Sequence, residues 1–286
     1  MDDDAPDEAT VAPQTAVSPT LQRLWGRDTP RRRGPKPALN VDQIARAAVD
    51  LADAEGLDAV SMARVAESLG YSSMALYRYV ASKDELLSLM ADAASADLPL
   101  PPEAEGGWRS RLEAWTRAQI EGIVARPWYL DLPLTTVRLG PHRLRWIDRA
   151  FSILRDLGLT TDEKLQIVGL LAQHVLGEGR VTVETERAAA VAVRREQGVP
   201  DDTPESELDP AALERANPYY DFEAVLQHLA NPAEYPDLFA ALADLPPSTS
   251  DAPRHDDAWE DGFDVGLQIV LDGIEAFVEQ RTALRR

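Results

Sequence analysis

The sequence predicts an all-α protein, and three observations carry that prediction. Apolar residues recur at steps of three and four along most of the chain. Ser, Asn and Asp stand before those runs, where helix N-caps belong, and several runs end at glycine. No window of β-branched alternation of strand length is bounded by hairpin turns.

In chain order, residues 1–30 read as a disordered acidic extension; the first twenty hold five acids, no base and no periodicity. The charge then reverses, because residues 21–40 carry six bases against one acid. Arg31, Arg32, Arg33 and Lys36 lie in a proline-stiffened basic arm directly before the first periodic run. That run opens at Asn40, an N-cap with Gln43 three residues on, and continues through Ile44, Ala48, Leu51 and Ala52 to Gly56. Ser61 caps a second, shorter helix with Met62, Val65, Ala66 and Leu69 on one face, and Gly70 ends it. Ser72 and Ser73 offer caps for a third helix over 74–79. Ser82-Lys83-Asp84-Glu85 is a capping box for a fourth, whose apolar positions are Leu86, Leu87, Leu89 and Met90. Beyond the proline-rich 99–102, longer helices are predicted over 108–126, 141–157 and 162–197, broken at Pro127 and Gly158. Residues 198–220 and 244–256 read as loops around a helix near 221–230, and Asp256 opens the last helix.

Composition narrows the function. A chain of 286 residues with 44% hydrophobic side chains has enough material for a real core. The absence of cysteine excludes disulfides, a thiolate nucleophile and cysteine-held zinc. The acidic start Met1-Asp2-Asp3-Asp4 is unlike a signal peptide, and no run of about 18 apolar residues occurs, so a cytoplasmic protein without membrane contact is expected. A net charge of −20 opposes general coating of nucleic acid, which leaves the 31–36 arm as the one concentrated cationic segment.

The second and third short helices, joined through Leu69-Gly70-Tyr71-Ser72, have the spacing of a helix-turn-helix. Val65, Leu69, Leu76 and Val80 supply its interior. Ser73, Met74, Ala75, Tyr77, Arg78 and Tyr79 are left for the outer face, although packing against the first helix is an equally simple use of a tyrosine at 77 or 79. Arg78 is suited to a guanine edge, the tyrosines to phosphate, and Met74 and Ala75 to a thymine methyl. An upstream arm of Arg and Lys suits a neighbouring minor groove or phosphates.

The run from Val60 to Val80, with Ala66-x-x-Leu69-Gly70, then Leu76-Tyr77-Arg78-Tyr79-Val80 and Lys83-Asp84-Glu85-Leu86-Leu87, resembles the DNA-binding domain of the tetracycline-repressor (TetR) family. More loosely, Leu139-Gly140-Pro141-His142-Arg143-Leu144 and the closing Gly262 to Ile274 resemble the regulatory domain of the tetracycline-repressor branch. The resemblance implies DNA contacts by Ser73, Met74, Ala75, Tyr77, Arg78 and Tyr79, by Ser61, Ala63 and Arg64, and by Lys83. It also implies repression by occupying a palindromic operator.

In the last helix Phe263, Leu267, Val270, Ile274 and Phe277 form the seam of one helix meeting another, inside the chain or in a second copy. The resemblance favours a homodimer built from this helix and the 162–197 helix. Trp115, Gln119, Trp146, Gln173 and His174 are either core or the lining of an aromatic pocket for a small-molecule effector. The four histidines show no paired spacing, and no glycine pair completes a phosphate loop, so no catalytic residue, cofactor or metal is expected. The expected organisation is thus an extension over 1–30, an arm and helix-turn-helix domain over 31–90, and a regulatory, ligand-binding and dimerisation domain over 100–286. The competing reading is an all-α ligand-binding or protein-interaction module without operator binding.

Overall fold

A computed structural model describes residues 17–27, 39–102, 106–133, 135–217, 225–226, 228–243 and 257–284, with the backbone alone at 242–243 and 257–264. The described residues form helices and 3₁₀ turns and contain no strand. Among them no helix is long and apolar enough to cross a membrane. The chain divides into two compact units, residues up to Leu98 with Asp131–Asp148, and Pro99–Leu130 with Arg149 onward.

The first unit holds α1 (Pro19–Leu24), α2 (Val41–Glu55), α3 (Met62–Ser68), α4 (Ser73–Leu76) and α5 (Lys83–Asp97). The predicted caps form. Asn40 Oδ1 accepts from the Gln43 amide at 2.8 Å while Gln43 Oε1 accepts from the Asn40 amide at 3.0 Å, which satisfies two orphan donors of α2 at once. Ser61, Ser72 and Ser82 each accept from the amide three residues on. Helix α5 lies along α2, burying Leu86, Met90 and Ala94 on one and Ile44, Ala48 and Val49 on the other. Val49, rather than the predicted Leu51, is the buried residue of that turn of α2; Leu51 is only half-buried.

Residues 19–24 correct the expectation of disorder over 1–30. They form α1, started by Ser18 as N-cap with Pro19 at the first helical position, and Leu24 is buried. Six residues give too little periodicity to stand out from an acidic flank; contacts to α5 hold this helix. Residues 1–16, together with 28–38 and so Arg31, Arg32, Arg33 and Lys36 of the arm, lie outside the described residues.

The second unit contains α6 (Trp108–Ala125), the later part of α7 (Pro141–Ile153), α8 (Thr161–Gln197), α9 (Pro210–Arg215), α10 (Pro236–Ala243) and α11 (Asp257–Ala283). Helices α6 and α8 pack through Ile120, Ile123 and Val175, and closely, since a Cβ on Gly179 would come within 2.7 Å of the Ile123 side chain. Helix α8 starts on a complete capping box between Thr160 and Glu163 and ends at Gly198, whose φ of +65° is left-handed. Helix α7 stops at Ile153, short of the predicted 157, and Gly158 follows with φ +67°. The predicted 198–220 loop is not all loop: Asp209 caps α9, Pro210 occupies its first position, and Leu208 and Ala212 are buried against Ala190 and Val193. Of the helix expected near 221–230, residues 221–224 and 227 lie outside the described residues.

Candidate nucleic-acid interface

The helix-turn-helix is built from its caps inward. Helix α3 ends at Ser68 with Leu69 as its C-cap, and Gly70 turns the chain with φ +75°, its amide donating to Glu67 O at 3.0 Å and the Tyr71 amide to Ala66 O at 2.8 Å. That geometry needs glycine, and it places the Ser72 cap where α4 begins. Val65, Leu76 and Val80 are fully buried between the helices, as the spacing predicts, while Leu69 is only half-buried. Helix α4 is a single turn that ends at Leu76, so Tyr77, Arg78 and Tyr79 stand in the turns after it rather than in a helix running to 79.

What remains outside is a compact polar and aromatic face. Met74 is 76% exposed and Tyr77 49% exposed, and Arg78 is exposed beside them. Ser73, Ala75 and Tyr79 are half-buried, so of the two tyrosines it is Tyr79 that serves the packing. Ser61 is half-buried and spends its hydroxyl oxygen on the Arg64 amide at 3.2 Å, whereas Ala63 and Lys83 are exposed. Arg64 is already engaged: its two terminal nitrogens donate to the Glu55 carboxylate at 2.8 and 2.7 Å. The Arg64 hydrogen bond holds the Glu55 carboxyl below the usual glutamate range, and the same bond raises the Arg64 guanidinium above its own.

The residues predicted to line an effector pocket differ in burial. Trp115 is buried beside a cleft of about 10 Å³, room for a single water molecule. Gln119 turns its amide back to the Trp115 carbonyl at 3.1 Å, and Gln173 is exposed. His174 is 11% exposed in its side chain, with Nε2 buried and without a hydrogen-bond partner. Trp146 is buried too, but within the first unit.

Part of the predicted seam of α11 is used inside the chain. Leu267 and Ile274 are buried inside the chain, with Leu271 and Val278 on the same face. Among the apolar residues left uncovered on these helices are Ile269 at 66% exposure, Val265, and Leu170 of α8 at 47%. Leu170 and Ile269, with the half-buried Val270 and Phe277, border an open groove of about 770 Å³ between α8 and α11. The Phe263 side chain lies outside the described residues.

Residues 44–90 match the family model described as "Bacterial regulatory proteins, tetR family", and residues 100–278 match "Tetracyclin repressor-like, C-terminal domain". The chain belongs to the TetR family. It is accordingly a helix-turn-helix DNA-binding transcriptional regulator. Among similar TetR proteins, the HTH-type transcriptional repressor DrrR1 of Streptomyces coeruleorubidus is 35% identical over 93% of this chain and 88% of its own. An HTH-type transcriptional regulator of Saccharopolyspora erythraea is 27% identical over 88% of this chain and 91% of its own. Of solved structures, Streptomyces coelicolor ActR in complex with actinorhodin superposes with a TM-score of 0.59 at 24% identity, covering 86% of this chain and 99% of that one.

Three features of this TetR protein escaped the sequence reading. Tyr71, exposed in the turn itself, widens the aromatic face. Leu170 and Ile269 border the groove, and their signal was present as apolar residues off the chosen seam. Helix α1 left only the Ser18-Pro19 start signal.

Proposed function

We propose that the protein is a cytoplasmic repressor that occupies a palindromic operator as a homodimer and leaves it on binding a small-molecule effector. The observation that carries this reading is the outer face of Met74, Tyr77 and Arg78, held over a buried Val65, Leu76 and Val80 interior by two serine-capped helices. Such a face is sized for a major groove, with one guanidinium for a guanine edge and apolar atoms for thymine methyls. Reading a palindrome needs a two-fold partner, and the uncovered Leu170 and Ile269 of the α8 and α11 groove are suited to a second copy. Gly273 in that groove lets another helix approach closely. The repressor sense accords with the name of the Streptomyces coeruleorubidus relative. His174, with a buried ring nitrogen that lacks a hydrogen-bond partner, is a polar group in the second unit suited to a ligand.

The test is a mobility-shift titration with the DNA flanking the protein's own gene, followed by footprinting. Retarded DNA with a protected palindrome supports the reading. Failure to bind any of these fragments below micromolar concentration, by protein that is folded and dimeric, overturns it in favour of a ligand-binding or protein-interaction module.

A further inference from the structure

We infer that α1, which precedes both family matches, is a strut of the DNA-binding unit, and that Arg23 and Trp25 are positioning residues for operator binding; this rests on the operator reading above. The Arg23 guanidinium grips the Glu85 carboxylate with two hydrogen bonds, Nε to Oε1 at 2.5 Å and Nη2 to Oε2 at 3.0 Å. The Glu85 side chain is 2% exposed, so this is a charge-assisted pair largely removed from water. The same carboxylate accepts from the Ala81 amide at 2.7 Å, in the residue that directly follows Tyr79 and Val80 of the DNA-facing turn. One buried carboxylate therefore ties α1 to the end of the recognition element.

The other end of α1 is tied elsewhere. Trp25 donates its indole N–H to the Leu139 carbonyl at 3.1 Å. Helix α5 reaches that same segment further along, with the Ser88 hydroxyl on the Thr136 carbonyl and the Asp92 carboxylate on the His142 and Arg143 amides. Glu85, Ser88 and Asp92 are the buried polar residues of α5, at steps of three and four on one face, and each one holds either α1 or the 136–143 segment. The result is a closed triangle of α1, α5 and residues 136–143. A shift of α5 against that segment has to break a tie to α1, so α1 opposes the shift and keeps residues 77–81 where the operator requires them. Removing Arg23 takes two charge-assisted donors from the buried Glu85 carboxylate, and the tie gives way at α5.

The test uses the full chain and a duplex footprinted with it. Arg23→Ala is expected to weaken operator binding about tenfold by lowering the fraction of molecules with α5 in place. In a Glu85→Gln background the same change is expected to cost under about threefold, because no buried charge is left behind. Amide exchange of the unaltered chain is the readout that needs no variant. Operator DNA is expected to slow exchange over residues 19–25, since a strut that favours the bound arrangement is favoured by it in return. Unchanged exchange over 19–25 on operator overturns the inference, as does Arg23→Ala binding within twofold of the original or a loss of equal size in both backgrounds. If the unaltered chain binds no DNA, the operator reading fails and the strut fails with it. Binding with an indifferent Arg23 removes the strut alone.

Discussion

Asp92 and Gly140 fit one another: the Asp92 carboxylate fills the space that a Cβ on Gly140 would need. From there it accepts from the amides of His142 and Arg143, at 3.3 and 3.0 Å, and so caps the first turn of α7 from a different helix. The requirement for glycine here is steric and not conformational, since Gly140 is absent from the positive-φ positions.

Gly140→Ala is expected to push Asp92 off the α7 amides and to cost about 1–3 kcal/mol, the range for buried groups deprived of their partners. Asp92→Ala removes the acceptor but relieves no strain, and is expected to cost about 0.5–2 kcal/mol through loss of the cap. Because both act at one place, the double change should cost clearly less than the two singles together. Urea denaturation of the four proteins checks this, and simple additivity would show that the two residues are not coupled.

The Glu55 and Arg64 pair makes a prediction of opposite sign. With its charge neutralised by Glu55, Arg64 is not fully available to phosphate. Glu55→Gln is expected to tighten binding to operator and random DNA alike and to steepen the dependence of log K on log salt by about 0.9. The carboxyl is held low in the folded chain, so the pair's stabilisation is present above the ordinary glutamate range and is lost as pH falls through the lowered value. The acid side of the stability profile should therefore flatten in Glu55→Gln. A salt slope identical to that of the unaltered protein would remove Arg64 from the phosphate contacts.

What was legible in the sequence was whatever local chemistry decides. Asn40, Ser61, Ser72, Ser82 and Gly70 stand where the helices start and turn because caps and a left-handed glycine are properties of four or five consecutive residues. The α1 helix was not legible, because Arg23 meets Glu85 across 62 residues and six helical residues have no pattern of their own. The capping box at Ser82 was half legible: Ser82 accepts from Glu85 as expected, but the Glu85 carboxylate accepts from Ala81 and Arg23. What meets the seam of α11 was not legible for another reason. Helix α11 has apolar residues on more than one face, and periodicity does not tell which face the chain's own α6 and α8 will cover.

That register has a measurable consequence. Leu267→Asp or Ile274→Asp places a charge in the interior of one chain and is expected to destabilise it by several kcal/mol, whatever its oligomeric state. Ile269→Glu with Leu170→Glu changes only exposed positions, and is expected to give a folded monomer that melts near the unaltered temperature if the groove receives a second copy. Light scattering beside thermal melting separates the two. A dimer that survives the paired change at Ile269 and Leu170 would place the interface on another face.

Arg78 is exposed, makes no ion pair among the described residues, and stands one residue after Tyr77, so its guanidinium is available for the two acceptors of a guanine edge. Arg78→Ala is expected to weaken operator binding by about 1–3 kcal/mol while leaving random DNA almost unaffected, since a base contact exists only at the right base. Arg78→Lys retains the charge without the fork and should recover little of that affinity. Neutralising Arg31, Arg32 and Arg33 should behave otherwise, weakening every duplex and reducing the salt slope by about 0.9 for each phosphate no longer neutralised. Anisotropy titrations of both variants on operator and random duplexes at several salt concentrations distinguish the two roles. If Arg78→Ala lowered affinity for both duplexes equally, with recovery by Arg78→Lys, Arg78 would bind phosphate, and base recognition would fall to Met74, Tyr77 and the shape of the DNA.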